Sequence, residues 1–114
     1  MERSTALVVD DEFYIVDLLA DILADEGFRV LRAYDGLSAL AIAEQTPVDL
    51  VVADVMMPKL DGIALALRLR QQFSAMRIVL MSAAVTQVPA GFEFIAKPFD
   101  INELLEKLES TAGR

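Results

Sequence analysis

The sequence predicts an α/β fold: an open parallel sheet of five strands in the order 2-1-3-4-5, with helices on both faces. Three observations predict it. Short, Val-rich apolar runs alternate with helical patterns along the whole chain, and that alternation builds a parallel sheet with crossover helices. The runs are bounded by polar residues and read as buried strands. Two of them end in aspartate, Asp10-Asp11 after residues 6–9 and Asp54 after residues 48–53, and parallel strands carry their functional groups at their carboxyl ends.

The first strand, ending at Val9, leads into a helical pattern over residues 13–26, with Leu18, Leu19, Ile22 and Leu23 at helical spacing. Gly27 suits the C-terminal end of that helix. Residues 28–34 form a second strand, and Asp35-Gly36 turns into a helix reaching about residue 45. Pro47 stops that helix from continuing. The third strand, 48–54, is followed by the loop 55–60 and by a helix over 62–72 with Asp61 as its cap. Strands follow at 77–82 and 92–96. Asp100, with Glu103 three residues on, opens a last helix ending near residue 109 in the manner of a capping box, and 110–114 reads as a frayed tail. Right-handed crossovers place strands 1 and 3 side by side, the flavodoxin-like order, with a cleft at the switch point between them.

One segment breaks the alternation. Residues 83–91 are too few for a helix of ordinary length plus two connections. Val85, Thr86 and Val88 are β-branched and Pro89 interrupts, so a loop, or at most one turn, is expected where a fourth helix would complete the pattern.

The chain's 114 residues suffice for one domain with a real core and are too few for two, so residues 1–114 are expected to form a single domain with an ordered core over about 5–109. Hydrophobic residues make up 55%, against disorder. No apolar stretch approaches the ~20 residues that cross a bilayer and no secretory signal opens the chain, so no membrane insertion and a cytoplasmic setting are expected. The chain holds no Cys and no His. That inventory excludes a thiolate nucleophile, sulfur-ligated zinc and any use of imidazole as base, ligand or phosphoryl carrier. With 18 acidic against 10 basic residues and a formal charge of −8, direct nucleic-acid binding is not expected.

Asp10, Asp11 and Asp54 converge on the cleft if strands 1 and 3 are neighbours. Three carboxylates there repel one another unless a cation binds or some protonate, and an all-oxygen set suits a hard divalent ion such as magnesium. The plainer reading is that each caps the helix after its strand. Two later strand ends add Ser82 and Lys97, which singly are a turn residue and a solvated lysine.

Over nearly its whole length the chain resembles the receiver domains of two-component response regulators. The resemblance rests on Asp10-Asp11, on the string from Asp54 through Met56-Met57-Pro58 to Asp61-Gly62, on Ser82-Ala83 and on Lys97-Pro98-Phe99. It implies a signalling phosphoprotein rather than an enzyme, whose central aspartate, Asp54, takes a phosphoryl group from a sensor histidine kinase or a phosphotransfer protein and then engages a downstream protein partner. Asp54 would be the nucleophile, since a carboxylate accepts phosphoryl as an acyl phosphate. Asp11, Asp54 and the backbone carbonyl of Met56 would hold Mg²⁺, with Asp10 acting mainly through water. Lys97 would pair with one phosphoryl oxygen and Ser82 would hydrogen-bond another. Phe94, three residues before Lys97, stands at the family's aromatic switch position and either fills the space Ser82 vacates or is a plain core phenylalanine. The resemblance also implies a cis Lys97–Pro98 bond.

The residues two beyond Asp54 and two beyond Ser82 are Met56 and Ala84. Neither can orient an attacking water, so a long-lived phosphorylated state is expected. The chain departs from the family in lacking room for the fourth helix, whose output surface must therefore be remodelled. Two other readings compete. A magnesium phosphatase of the haloacid dehalogenase type also uses an aspartyl nucleophile, but it needs a second acid where Met56 stands. An interaction domain without phosphorylation would have no use for Asp54, Asp11, Ser82 and Lys97 together.

Overall fold

A computed structural model describes residues 3–84 and 87–111. The elements run β1 (Thr5–Val9), α1 (Phe13–Asp25), β2 (Arg29–Ala33), α2 (Gly36–Gln45), β3 (Leu50–Asp54), α3 (Gly62–Gln72), β4 (Arg77–Ser82), β5 (Glu93–Ala96) and α4 (Ile101–Thr111). The strands form one parallel sheet in the order β2-β1-β3-β4-β5, as expected. No helix lies between β4 and β5 among the described residues. Val85 and Thr86, in the middle of that connection, lie outside the described residues. The last helix, α4, extends two residues beyond the expected end, to Thr111.

Strand residues alternate between two cores. Leu7, Val9, Val51, Ala53, Ile78 and Leu80 face α2 and α3, where Ala39, Ala43, Leu65 and Leu69 meet them. Ala6, Val8, Val52, Val79 and Met81 face α1 and α4, against Val16, Leu19, Leu23, Leu104 and Leu108. Both sides of each central strand are thus dry, which is why β1 and β3 read as unbroken apolar runs rather than alternating ones.

The helix ends follow from local chemistry. At the end of α1, Gly27 has φ +98°, its N–H donates to the Ala24 carbonyl, and the Phe28 N–H reaches back to Leu23. This is a Schellman motif, which needs a left-handed residue at the glycine position. Asp35 and Asp61 each accept a backbone N–H three residues on, from Ser38 and Ala64, both at 2.8 Å. Asp100 accepts from Glu103 at 2.8 Å while the Asp100 N–H donates back to the Glu103 carboxylate at 3.4 Å, the reciprocal pair expected from the sequence.

Two arginines secure β5 in place of a covering helix. Arg70 of α3 donates to the carbonyls of Ser74, Met76 and Gly91 and lies 5.3 Å from the centre of the Phe92 ring. Arg77 makes a two-pronged pair with Glu93, at 2.6 and 2.9 Å. It also donates to the carbonyls of Lys107 and Leu108 in the last turns of α4. The start of β5 is therefore tied to helices on opposite faces of the sheet.

Candidate functional site

The register of the sheet brings the polar residues out at one level. Val9 pairs with Ala53, Asp54 with Met81 and Ser82 with Ala96. The next residues continue the ladder: the Val55 N–H donates to Met81 at 2.8 Å and the Lys97 N–H to Ser82 at 2.9 Å. Asp10, Asp54, Ser82 and Lys97 thereby emerge from the carboxyl ends of four adjacent strands. This is the switch-point cleft the strand order requires.

Asp10 is fully buried. One of its oxygens accepts the Glu12 N–H at 3.0 Å and the other accepts Lys97 Nζ at 2.9 Å. Asp54 is buried at the end of β3, with one carboxylate oxygen 3.4 Å from the same ammonium. Asp11 is exposed at the rim. Asp10, Asp11 and Asp54 each offer an oxygen within 4.8 Å of the others. Ser82 is buried, and its Oγ accepts the Ala84 N–H at 3.1 Å. The Lys97–Pro98 peptide bond is cis.

This crowding has an electrostatic signature. Burial pushes the Asp54 carboxyl above the ordinary carboxylate range, the nearby charges of Asp10 and Asp11 push it further, and Lys97 opposes them without prevailing. For Lys97, burial by itself favours the neutral amine, but the carboxylates of Asp10 and Asp54 outweigh it and raise the ammonium above its usual value. A carboxylate that holds its negative charge reluctantly, beside two further carboxylates, fits a divalent cation with oxygen ligands.

The loop after β3 is shaped by backbone contacts. The Leu60 N–H donates to Pro58 at 2.8 Å across Lys59, whose φ is +71°. A three-residue turn of this hand is rare and strained, and strain of this kind gathers at functional sites. Gly62 opens α3 directly against β3: a Cβ there would lie 2.3 Å from the Asp54 carbonyl oxygen. The Gly62 N–H donates to Val55 at 2.9 Å. The Asp61-Gly62 pair is a cap and a close approach. Met57 packs on the core, whereas the Met56 side chain is exposed at 60%.

Phe94 is half-buried, paired with Leu80 in the ladder and packed against the α2/α3 core. The structure thus gathers Asp10, Asp11, Asp54, Ser82 and Lys97 at one end of the sheet, with Phe94 in the adjoining edge strand.

Two acidic residues outside the cluster, Glu12 and Asp35, also stand near lysines. Asp35 caps α2 and stands 3.7 Å from Lys59. Glu12 lies 4.0 Å from Lys97 Nζ and accepts the Tyr14 hydroxyl at 2.8 Å. The signal available in the sequence was its place directly after Asp10-Asp11. Gly36 has the sequence signature of a turn residue, yet a Cβ there would lie 2.1 Å from the Leu60 carbonyl oxygen, so it admits the strained loop against α2.

Comparison with known proteins agrees with this geometry. Residues 6–109 match the response regulator receiver domain family. The chain is 36% identical over 116 residues to the response regulator GtcR of Aneurinibacillus migulanus, covering 96% of this chain and 48% of that protein. It is 39% identical over 115 residues to the alkaline phosphatase synthesis transcriptional regulatory protein PhoP of Bacillus subtilis, covering 95% and 48%. The chain thus spans about half the length of these curated relatives. Among solved structures, the CheX-CheY-BeF3-Mg complex from Borrelia burgdorferi matches with a TM-score of 0.87 and 29% identity, over 97% of this chain and 90% of that one.

Proposed function

This chain belongs to the response regulator receiver domain family, and from that premise we propose that Asp54 is its phosphoacceptor, served by Lys97, Ser82 and a magnesium ion. The observation that carries the reading is Asp54 itself: a buried carboxylate at a strand end, 3.4 Å from a lysine ammonium and flanked by two further aspartates. A phosphatase of the haloacid dehalogenase type is not favoured, because the position two beyond Asp54 is the exposed Met56, which has no acid to offer.

Residues 1–114 act in this reading as one receiver domain. Its donor is a sensor histidine kinase or a phosphotransfer protein, its receiver of the signal is a downstream protein, and its setting is the cytoplasm. Among the described residues no helix is long and apolar enough to cross a membrane, which accords with that setting. The relative from Borrelia, whose complex contains Mg and BeF3, supports the choice of ion.

Asp11, Asp54 and the Met56 carbonyl would hold Mg²⁺, with Asp10 acting through water. When bound, the ion supplies positive charge beside the transferring phosphoryl group, the main demand of this chemistry. The chain's own residues do the rest. An Asp54 carboxylate oxygen attacks phosphorus as the phosphorus–nitrogen bond to the donor imidazole breaks, the electron pair leaving with that nitrogen. Lys97 turns its ammonium from the carboxylates to a phosphoryl oxygen, and the Ser82 hydroxyl donates to another. Phosphorylation adds roughly −1.5 to −2 charges and strong acceptors. Drawing Ser82 inward then opens space toward which Phe94, in the neighbouring strand, can turn.

Incubation with acetyl phosphate and Mg²⁺ tests the reading. A single acid-stable, base-labile phosphoryl adduct is expected, lost in Asp54→Asn and suppressed by chelation. Undiminished labelling of Asp54→Asn would overturn it.

A further inference from the structure

Glu12 stands at the N-cap of α1, yet its carboxylate makes no cap hydrogen bond with that helix. The other three helices use the carboxylates at this place, those of Asp35, Asp61 and Asp100. The Glu12 side chain is turned instead toward the cleft. One oxygen accepts the Tyr14 hydroxyl at 2.8 Å, and the other lies 4.0 Å from Lys97 Nζ. A cavity of about 230 Å³ opens beside them, lined by Glu12, Tyr14, Lys97, Pro98 and Phe99 among others. The lysine therefore has room to move on this side.

We propose that Glu12, held by Tyr14, is a positioning residue for Lys97: an outer carboxylate that keeps the ammonium at the cleft when its inner partners are neutralised. The inference rests on the phosphoacceptor reading above. Among the described residues, Lys97 forms ion pairs with Asp10, Asp54 and Glu12. The first two belong to the three-carboxylate cluster, and Glu12 does not. A divalent ion at that cluster weakens the hold of both close partners on Lys97, whereas Glu12 stays outside the cluster as an anion within its reach. A lysine is a strongly hydrated point charge on a flexible stem. Without an outer carboxylate its head would disperse into solvent, away from the place where a phosphoryl oxygen must meet it.

Calorimetric titration with Mg²⁺ alone tests this on the full chain and on Glu12→Gln, Lys97→Met and the double variant. Glu12→Gln should weaken Mg²⁺ binding roughly two- to fivefold, the size of a partly exposed ion pair, because the displaced ammonium no longer finds a carboxylate. In the Lys97→Met background the same substitution should change the affinity much less, since no pair remains to be lost. Tyr14→Phe should reproduce part of the loss in the unmodified chain and none of it in Glu12→Gln. As a second readout, the Lys97 ammonium, followed by side-chain NMR in saturating Mg²⁺, should stay ordered in the unmodified chain and become mobile in Glu12→Gln. Equal losses in the two backgrounds overturn the proposal, because Glu12 would then act by its charge alone; so does an unchanged affinity in Glu12→Gln. If the unmodified chain binds no Mg²⁺, the phosphoacceptor reading falls and this one with it, so the two failures are distinguishable.

Discussion

Met56 and Ala84 follow Asp54 and Ser82 by two residues each, and both are exposed. Hydrolysis of an acyl phosphate at Asp54 needs a water in line with the phosphorus, held by a group that can accept or donate a hydrogen bond. A thioether and a methyl group do neither well, and the methionine is bulky besides. The phosphorylated state is therefore expected to last minutes or more, and Met56→Asn is expected to shorten it. Following the decay of the phosphoryl adduct after the donor is removed checks this; loss within seconds in both forms would show that neither side chain controls the water. Ser82 adds a related constraint. Its hydroxyl oxygen accepts the Ala84 N–H, so a move of Ser82 would act directly on the start of the β4–β5 connection.

At the scale of elements, the site depends on how closely α3 approaches β3. Gly62→Ala places a methyl group 2.3 Å from the Asp54 carbonyl oxygen, backbone that cannot swing aside. The start of α3 must shift, and Asp54 shifts with it. A loss of roughly 1–3 kcal/mol in urea unfolding is expected, typical of forced overpacking, together with slower labelling at Asp54; wild-type stability in this variant would count against the close approach. The edge strand makes a second case. Arg70 satisfies three carbonyls and covers Phe92, in the region where the family carries a fourth helix. Arg70→Ala should cost about 1–3 kcal/mol, chiefly by leaving the partly buried Met76 carbonyl unpaired. Arg70→Lys should recover little, since an ammonium lacks the planar fork that reaches several acceptors together. Full rescue by lysine, read from the same urea midpoints, would assign Arg70 a charge role only.

For the whole molecule, the clearest consequence of the site is in stability against pH. The folded state raises the Asp54 carboxyl above its ordinary value, chiefly through burial, so the folded chain binds that proton more tightly than the unfolded one. Its stabilising contribution is complete below the ordinary carboxylate value and is lost as pH rises through the raised one. At neutral pH and without divalent ions, ionised Asp54 therefore works against folding. Asp54→Asn should melt at a higher temperature than the unmodified chain at pH 7 in chelator, and the gap should close as pH falls toward 4. Carboxylates remote from Asp54 contribute equally to both proteins and cancel. Mg²⁺ should narrow the same gap at pH 7 by stabilising only the chain that keeps Asp54, by about 2.7 kcal/mol when present at a hundred times its dissociation constant. A lower melting temperature for Asp54→Asn in chelator at pH 7 would mean that its pairing with Lys97 outweighs burial and repulsion.

The sequence by itself determined the element order, the strand order and which residues end the strands. Val-rich runs, Gly27, the caps at Asp61 and Asp100 and the brevity of residues 83–91 are local or periodic signals, readable without knowing what packs on what. The polar ends of β1, β3, β4 and β5 named Asp10, Asp11, Asp54, Ser82 and Lys97 because a right-handed parallel topology leaves those ends in one place. Tertiary structure decided what has no local signature. Glycines 36 and 62 look like ordinary turn residues until Leu60 and Asp54 are seen to press on them. Arg70 and Arg77 are indistinguishable from solvated surface charges until the carbonyls of Gly91, Lys107 and Leu108 arrive from distant parts of the chain. Glu12 reads as a surface residue until Lys97, brought round by the whole sheet, stands beside it. Distance between charges and room for a Cβ exist only after the chain has closed on itself, so no period or spacing could have carried them.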